Sequence, residues 1–90
     1  MAIKLSRNVT IVNQLGLHAR AATKLAQLCQ QFKSHIELVH EDKTADACSV
    51  LALLMLASSK GKTLKVTAEG SDAEAALNAV VSLIEQGFGE

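Results

Sequence analysis

Asn13-Gln14-Leu15-Gly16-Leu17-His18-Ala19-Arg20-Ala21-Ala22 is where the hydrophobic pattern of the chain changes period. Before it, Ile3 to Ile11 alternates loosely and carries β-branched residues, which predicts a strand. After it, Ala22, Leu25, Ala26, Cys29 and Phe32 recur at helical spacing, which predicts a helix from His18 to about Gln31. Asn13-Gln14-Leu15-Gly16 between them has turn chemistry, with Gly16 free to take a positive φ. A helix start normally carries Ser, Thr, Asp or Asn, whose oxygens cap the first free N–H groups. None of these four occurs between Gln14 and Ala22, and His18 stands at the boundary instead.

The same alternation of periods continues outward. Ile36, Leu38 and His40 alternate with Glu37 and Val39, predicting a second strand. Glu41-Asp42-Lys43 is a polar hairpin turn, followed by a short third strand around Thr44 to Ala47. Ser49 to Ser58 reads as a short helix, with Gly61 suited to its C-terminal cap. Leu64, Val66 and Ala68 alternate with Lys65 and Thr67 in a fourth strand. Gly70-Ser71-Asp72 turns the chain, and Ser71 or Asp72 can cap a last helix with Glu74 in its first turn. Ala73, Ala76, Leu77, Val80, Ile84 and Phe88 form that helix's apolar stripe. The order is β-α-β-β-α-β-α, in the α+β class. Three helices and four strands in 90 residues suit two layers, with the helices on one face of a sheet. The strand order stays open.

Length and composition bound the function. Ninety residues make one small domain, 1–90, and no linker or repeat interrupts it. There is no Trp, no Tyr and two Phe, so the core is aliphatic. Nine basic residues balance nine acidic ones, which argues against a nucleic-acid partner, since that needs a basic footprint and stacking platforms. The longest apolar run, Val50 to Ala57, is too short to span a bilayer, so no membrane role is expected. No signal peptide is expected before the first strand. Cys29 and Cys48 make no disulfide framework, and both read as lying in apolar helical surroundings of a reduced, cytoplasmic protein.

Two features depart from structural bookkeeping. A helix start presents unpaired N–H groups and a positive dipole end, which together bind anions. That end disfavours the imidazolium form of a histidine, and neutral imidazole is the nucleophilic form. An imidazole at this place, with the guanidinium of Arg20 to match phosphate geometry, can accept a phosphoryl group. The pairing requires His18 just outside the helix and Arg20 in its first turn, folding back. The plain alternative is a surface histidine at a loop end. The second feature is the segment Ser49-Val50-Leu51-Ala52-Leu53-Leu54-Met55-Leu56, apolar nearly all round. A two-layer domain this small cannot bury every side of such a helix. Leu53 and Leu56 fit a core; some of Val50, Leu51, Leu54 and Met55 are expected to face solvent or a partner.

Taken together, the Gly16-Leu17-His18-Ala19-Arg20 run, the element order and a serine opening the second helix resemble the histidine-containing phosphocarrier (HPr) family of the bacterial phosphotransferase system. The match spans essentially the whole chain. The segment Ser49 to Leu56, followed by Ser59-Lys60-Gly61-Lys62, and the ending Ile84-Glu85-Gln86-Gly87-Phe88 resemble its nitrogen-related branch more than its sugar branch. The resemblance implies an open-faced sandwich, a four-stranded antiparallel sheet under three helices. It implies that His18 is phosphorylated on Nδ1 and that Arg20 assists. The helix start at Ala19, Arg20 and Ala21 would steady the phosphoryl oxygens. Phosphoryl groups would come from phosphoenolpyruvate through an enzyme I-type protein and pass to a histidine of a IIA-type protein. No cofactor is implied, and the protein would act as a transient carrier, a monomer without autonomous enzymatic activity. Ser49 falls at the family's regulatory serine, a kinase target in some bacteria. The docking surface would combine Ala19, Arg20, Thr23, Lys24 and Gln27 with Cys48, Ser49, Val50, Leu51, Leu54 and Met55.

Two positions depart from the family pattern. Ala21 stands where proline is frequent, which loosens a first turn that proline would preset. Cys48 stands where many sugar-branch members have lysine, which removes a charge beside Ser49 and favours an N-cap role for that serine. Two rival functions remain at this point. A metal module would draw on His18, His35, His40, Cys29 and Cys48, but none shows ligand spacing; His35 and His40 are expected in solvent at the two ends of their strand, and Cys29 in the core. A regulatory binding module would use the apolar second helix without phosphotransfer.

Overall fold

A computed structural model describes residues 3–56 and 58–90. The strands are β1 (Ile3–Thr10), β2 (His35–His40), β3 (Lys43–Asp46) and β4 (Thr63–Gly70); the helices are α1 (Ala19–Cys29), α2 (Val50–Met55) and α3 (Ala73–Glu85). The sheet runs β1-β4-β2-β3, and every neighbouring pair is antiparallel. The crossover through α1 carries the chain from β1 past one strand position to β2, and the crossover through α2 brings β4 back between β1 and β2.

The period-2 pattern decides which face is covered. Val9 of β1 pairs with Leu64, Leu38 of β2 with Val66, and Ala45 of β3 with Leu38, so these side chains share one face. All are buried, and the helices lie over them. α3 packs on β1, β4 and β2, α2 leans on β3, and α1 bridges α2 and α3. The opposite face is polar: Ser6 and Thr67 hydroxyls meet at 3.3 Å, as do those of Thr10 and Thr63. This is the open-faced two-layer sandwich expected from the resemblance.

α3 buries Ala73, Ala76, Leu77, Val80, Val81 and Ile84, the expected stripe with Val81 added. Full burial of each Leu, Ile or Val contributes about 2 kcal/mol. Phe88 extends the stripe from outside the helix. It sits in the tight turn Gly87–Gly89 at φ +58° and is fully buried. A left-handed non-glycine residue costs about 1–2 kcal/mol, which burial of a whole phenyl ring offsets.

Several local expectations need correction. α2 ends at Met55, with Leu56 as its C-cap, and does not reach Ser58; Ala57, which the expected helix included, lies outside the described residues. Gly61 does not cap α2. At φ +90° it turns the chain into β4, its N–H donating to the Ile11 carbonyl at 2.8 Å. Asp72 is the N-cap residue of α3, but its side chain makes no cap bond. Its carboxylate instead accepts from the Lys33 N–H at 2.8 Å, the Ser34 N–H at 2.9 Å and the Ser34 hydroxyl. Three donors from the loop between α1 and β2 outcompete the amides of its own helix. The Ser34 hydroxyl first, then the Lys33 amide, hold the Asp72 carboxyl below the usual carboxylate range. His40 is not in solvent: it is partly buried, and its Nδ1 meets the Ser58 hydroxyl at 3.1 Å. His35 is exposed, as expected.

Candidate functional site

The loop from Asn13 to Leu17 places His18. Gly16 has φ +65°, and a Cβ there would lie 2.6 Å from the Ser58 carbonyl oxygen and 2.8 Å from the Ser59 Cα. Only glycine allows both this turn and this approach. The Leu17 N–H donates to the same Ser58 carbonyl at 3.0 Å, and the Leu17 side chain is buried. The residue before the histidine is thus pinned from both sides of the chain.

His18 is the N-cap residue of α1, in extended conformation, and its side chain caps nothing. Its carbonyl takes the first helical bond, from the Ala22 N–H at 2.8 Å. The amides of Ala19, Arg20 and Ala21 therefore have no partner within the helix. The imidazole is about three-quarters covered, and its Nε2 is hydrogen-bonded to the Glu90 carboxylate. A carboxylate can only accept, so in the neutral ring Nε2 carries the proton and Nδ1 keeps its lone pair. Among the described residues Nδ1 has no hydrogen-bond partner.

Glu90 reaches His18 because the end of the chain folds back. Phe88 anchors the turn in the core, and the Lys24 ammonium donates to the Phe88 carbonyl at 2.8 Å. Asn13 is buried and donates through Nδ2 to the Gly16 carbonyl at 2.8 Å and to Glu90 Oε1 at 3.2 Å. The His18 bond first, then the Asn13 bond and the charge of Arg20, hold the Glu90 carboxyl below its usual range. Arg20 lies in the first turn of α1, exposed, and its charge acts on Glu90. Among the described residues no hydrogen bond joins Arg20 to His18.

The family model describing the phosphorylation site of the HPr component of the phosphotransferase system matches residues 5–86. The chain belongs to the HPr family. It is 53% identical over 87 residues to the phosphocarrier protein NPr of Shewanella violacea, covering 97% of this chain and 96% of that one. It is 47% identical over 85 residues to the NPr of Escherichia coli, covering 93% and 94%. Among solved structures it resembles HPr-C-His from Thermoanaerobacter tengcongensis, with a TM-score of 0.91 and 38% identity over 96% of this chain and 97% of that one. HPr-family membership makes the chain a phosphotransferase-system phosphocarrier, and the nitrogen-related resemblance read from the sequence agrees with the two NPr relatives.

Around His18 the remaining candidates divide. Ser49 is the N-cap of α2 and accepts the Ala52 N–H at 3.2 Å. Leu53 and Leu56 are buried, whereas Leu51 and Met55 are each about 70% exposed and Leu54 is 38% exposed. Val50 is partly buried. Ala19, Thr23, Lys24 and Gln27 are exposed on α1, although the Thr23 hydroxyl returns to the Ala19 carbonyl and Lys24 is committed to the tail. Ala21 turns its methyl into the core and contributes only its amide. Cys48 corrects an expectation: it lies in an exposed turn beside Asp46, not in apolar surroundings. Among the described residues no three His, Cys, Asp or Glu side chains converge as a metal site, and no helix is long and apolar enough to cross a membrane.

Asn13 and Glu90 are the site residues that sequence reasoning missed. Asn13 looked like ordinary turn chemistry. Glu90 lies 72 positions from the histidine it contacts, and no periodicity links them.

Proposed function

We propose that this chain, as a single phosphocarrier domain spanning residues 1–90, serves the nitrogen-related branch and carries the phosphoryl group on Nδ1 of His18. The observation that carries this reading is the hydrogen bond from Nε2 to Glu90, which leaves Nδ1 as the nucleophilic nitrogen beside the free amides of Ala19, Arg20 and Ala21. An enzyme I-type protein, charged from phosphoenolpyruvate, is the donor. As its bond to phosphorus breaks, the Nδ1 lone pair forms the new one. The ring then carries a positive charge, which the Glu90 carboxylate offsets. The amides and Arg20 face the phosphoryl oxygens. Transfer to a histidine of a IIA-type protein reverses the same step. The carrier supplies position and charge, and the partner completes the reacting geometry.

Both partners meet one face, made of the exposed first helix around Ala19, Arg20, Thr23, Lys24 and Gln27 and the apolar side chains of Val50, Leu51, Leu54 and Met55, with Cys48 and Ser49 between. Such contacts are small and short-lived, as a shuttling monomer in the cytoplasm requires. Ser49 acts as the cap of α2, and a serine kinase would place its phosphate at that same helix start.

The test is label transfer from phosphoenolpyruvate through a nitrogen-type or a sugar-type enzyme I, with His18→Ala in parallel. An acid-labile, base-stable label that is absent from His18→Ala is expected, with the nitrogen-type donor faster. Preference for the sugar-type donor would move the chain to the other branch. No label from either donor to the folded protein would leave a binding module acting through the apolar α2 face. Arg20→Ala is expected to slow transfer more than it weakens docking; equal losses would remove the role assigned to Arg20.

A further inference from the structure

Asn13 sits between the loop that presents His18 and the tail that carries Glu90, and the transfer step assigned to His18 does not use it. Its side chain is buried. Its amide nitrogen Nδ2 donates to the Gly16 carbonyl at 2.8 Å and to Glu90 Oε1 at 3.2 Å, while Glu90 Oε2 is the oxygen that meets Nε2 of His18. Both atoms facing Nδ2 can only accept, so the amide has one workable orientation. Turned over, its oxygen would face a carbonyl and a carboxylate. In the orientation it takes, Oδ1 is buried and has no hydrogen-bond partner among the described residues. A turn residue kept for stability alone would not leave a buried acceptor unmet. The tail turn closes over the same side chain: a Cβ at Gly87 would lie 3.5 Å from the Asn13 Cβ.

On the reading that His18 accepts the phosphoryl group, we propose that Asn13 is a positioning residue for the transfer: one N–H of its amide holds the Glu90 carboxylate against Nε2, and so keeps Nδ1 as the free nitrogen.

Glu90 needs such a guide. It lies exposed on the tail, and a long side chain held in one geometry gives up rotamer freedom. The Asn13 bond takes one carboxylate oxygen and leaves the other for the ring. The second N–H of the same amide grips Gly16, two residues before His18. One planar group thus sets the loop and the carboxylate against each other. The amide is also uncharged. It fixes the carboxylate without cancelling its charge, which remains to offset the imidazolium formed when Nδ1 takes the phosphoryl group. A lysine or arginine in this place would cancel it. The Asn13 bond, after the His18 bond, contributes to the low position of the Glu90 carboxyl.

Exchanging the two groups tests the role. Asn13→Asp sets a carboxylate against Glu90 and is expected to slow transfer by more than about fivefold, beyond the limit for losing the Glu90 charge alone. The maximal rate should fall while the KM for the carrier holds, because Asn13 is buried and touches no partner. In the double variant Asn13→Asp, Glu90→Gln the new amide donates to the new carboxylate and its oxygen still accepts from Nε2, so most of the lost rate is expected to return. A double variant no faster than Asn13→Asp, an Asn13→Asp chain as fast as the unaltered one, or a loss confined to KM would each overturn the assignment. A second readout needs no donor. In the unphosphorylated chain, acid titration of the Glu90 carboxyl carbon by NMR should shift its midpoint upward, toward the ordinary carboxylate range, in Asn13→Ala and in the similarly shaped Asn13→Asp, with thermal melts confirming that each is folded. An unchanged midpoint in the folded variants would remove Asn13 from this role, whether or not His18 accepts a phosphoryl group.

Discussion

An N-cap residue ordinarily turns an oxygen toward the amides of the first helical turn. His18 instead points its Nε2–H at Glu90 and leaves those amides free for an anion. Glu90→Gln keeps an acceptor of the same shape and removes its charge. It is expected to slow transfer through His18 and to shorten the life of the phosphohistidine, each by no more than about fivefold, the scale of an exposed charged pair. The pH dependence has a definite sign. Glu90 has a depressed pKa in the folded chain, so its charged contact is complete above the ordinary carboxylate range and is lost as the pH falls through the lowered value. The ring resonances of His18 should follow that loss in the unaltered chain and not in Glu90→Gln; identical acid titrations would remove Glu90 from the site. His18 was legible in the sequence because it breaks a local rule. Glu90 was not, because only the folding of the tail brings it there.

At the scale of elements, α2 separates two kinds of leucine. Leu53 is fully buried and Leu51 is about 70% exposed. Leu53→Ala is expected to cost about 3 kcal/mol in urea unfolding. Leu51→Ser should change stability by less than about 0.5 kcal/mol while weakening docking to the phosphoryl donor. Equal stability losses would contradict the orientation of the helix. Asp72 joins the loop after α1 to the start of α3. Its carboxyl is held low, so the stabilisation it provides is present above the ordinary carboxylate range and disappears as the pH falls through the lowered value. The melting-temperature gap between the unaltered chain and Asp72→Asn should be widest near neutrality and close in acid. A constant gap would show that the charge is irrelevant. Helix existence and facing were readable here from spacing: Leu53 and Leu56 went inward as their period required. The end of α2 and the partner of Asp72 were not, because Gly61 and Asp72 answer to contacts from other segments, the Ile11 carbonyl and the donors at Lys33 and Ser34.

For the whole molecule, the alternation of periods gave seven elements and two layers, but pairing is a long-range property that periodicity does not encode. The order β1-β4-β2-β3 puts the last strand in the interior of the sheet, where Leu64, Val66 and Ala68 are buried. The resemblance supplied the antiparallel, four-stranded sheet but not the order of its strands. The tail closes this architecture through Phe88. Phe88→Ala is expected to cost about 3–5 kcal/mol and, unlike Leu53→Ala, to free Glu90 from His18. Stability and transfer should then fall together; loss of stability with unchanged transfer would mean that Glu90 holds its place without the anchor.

The helices meet the sheet through Leu, Ile, Val and Ala, and the chain contains neither tryptophan nor tyrosine. Seen by ultraviolet light, the protein is nearly transparent at the wavelengths where indole and phenol absorb. An encounter with a donor or acceptor that carries tryptophan near its docking face can therefore be followed by that partner's own fluorescence. The carrier adds no emission of its own, so binding and release can be timed on native, unlabelled proteins.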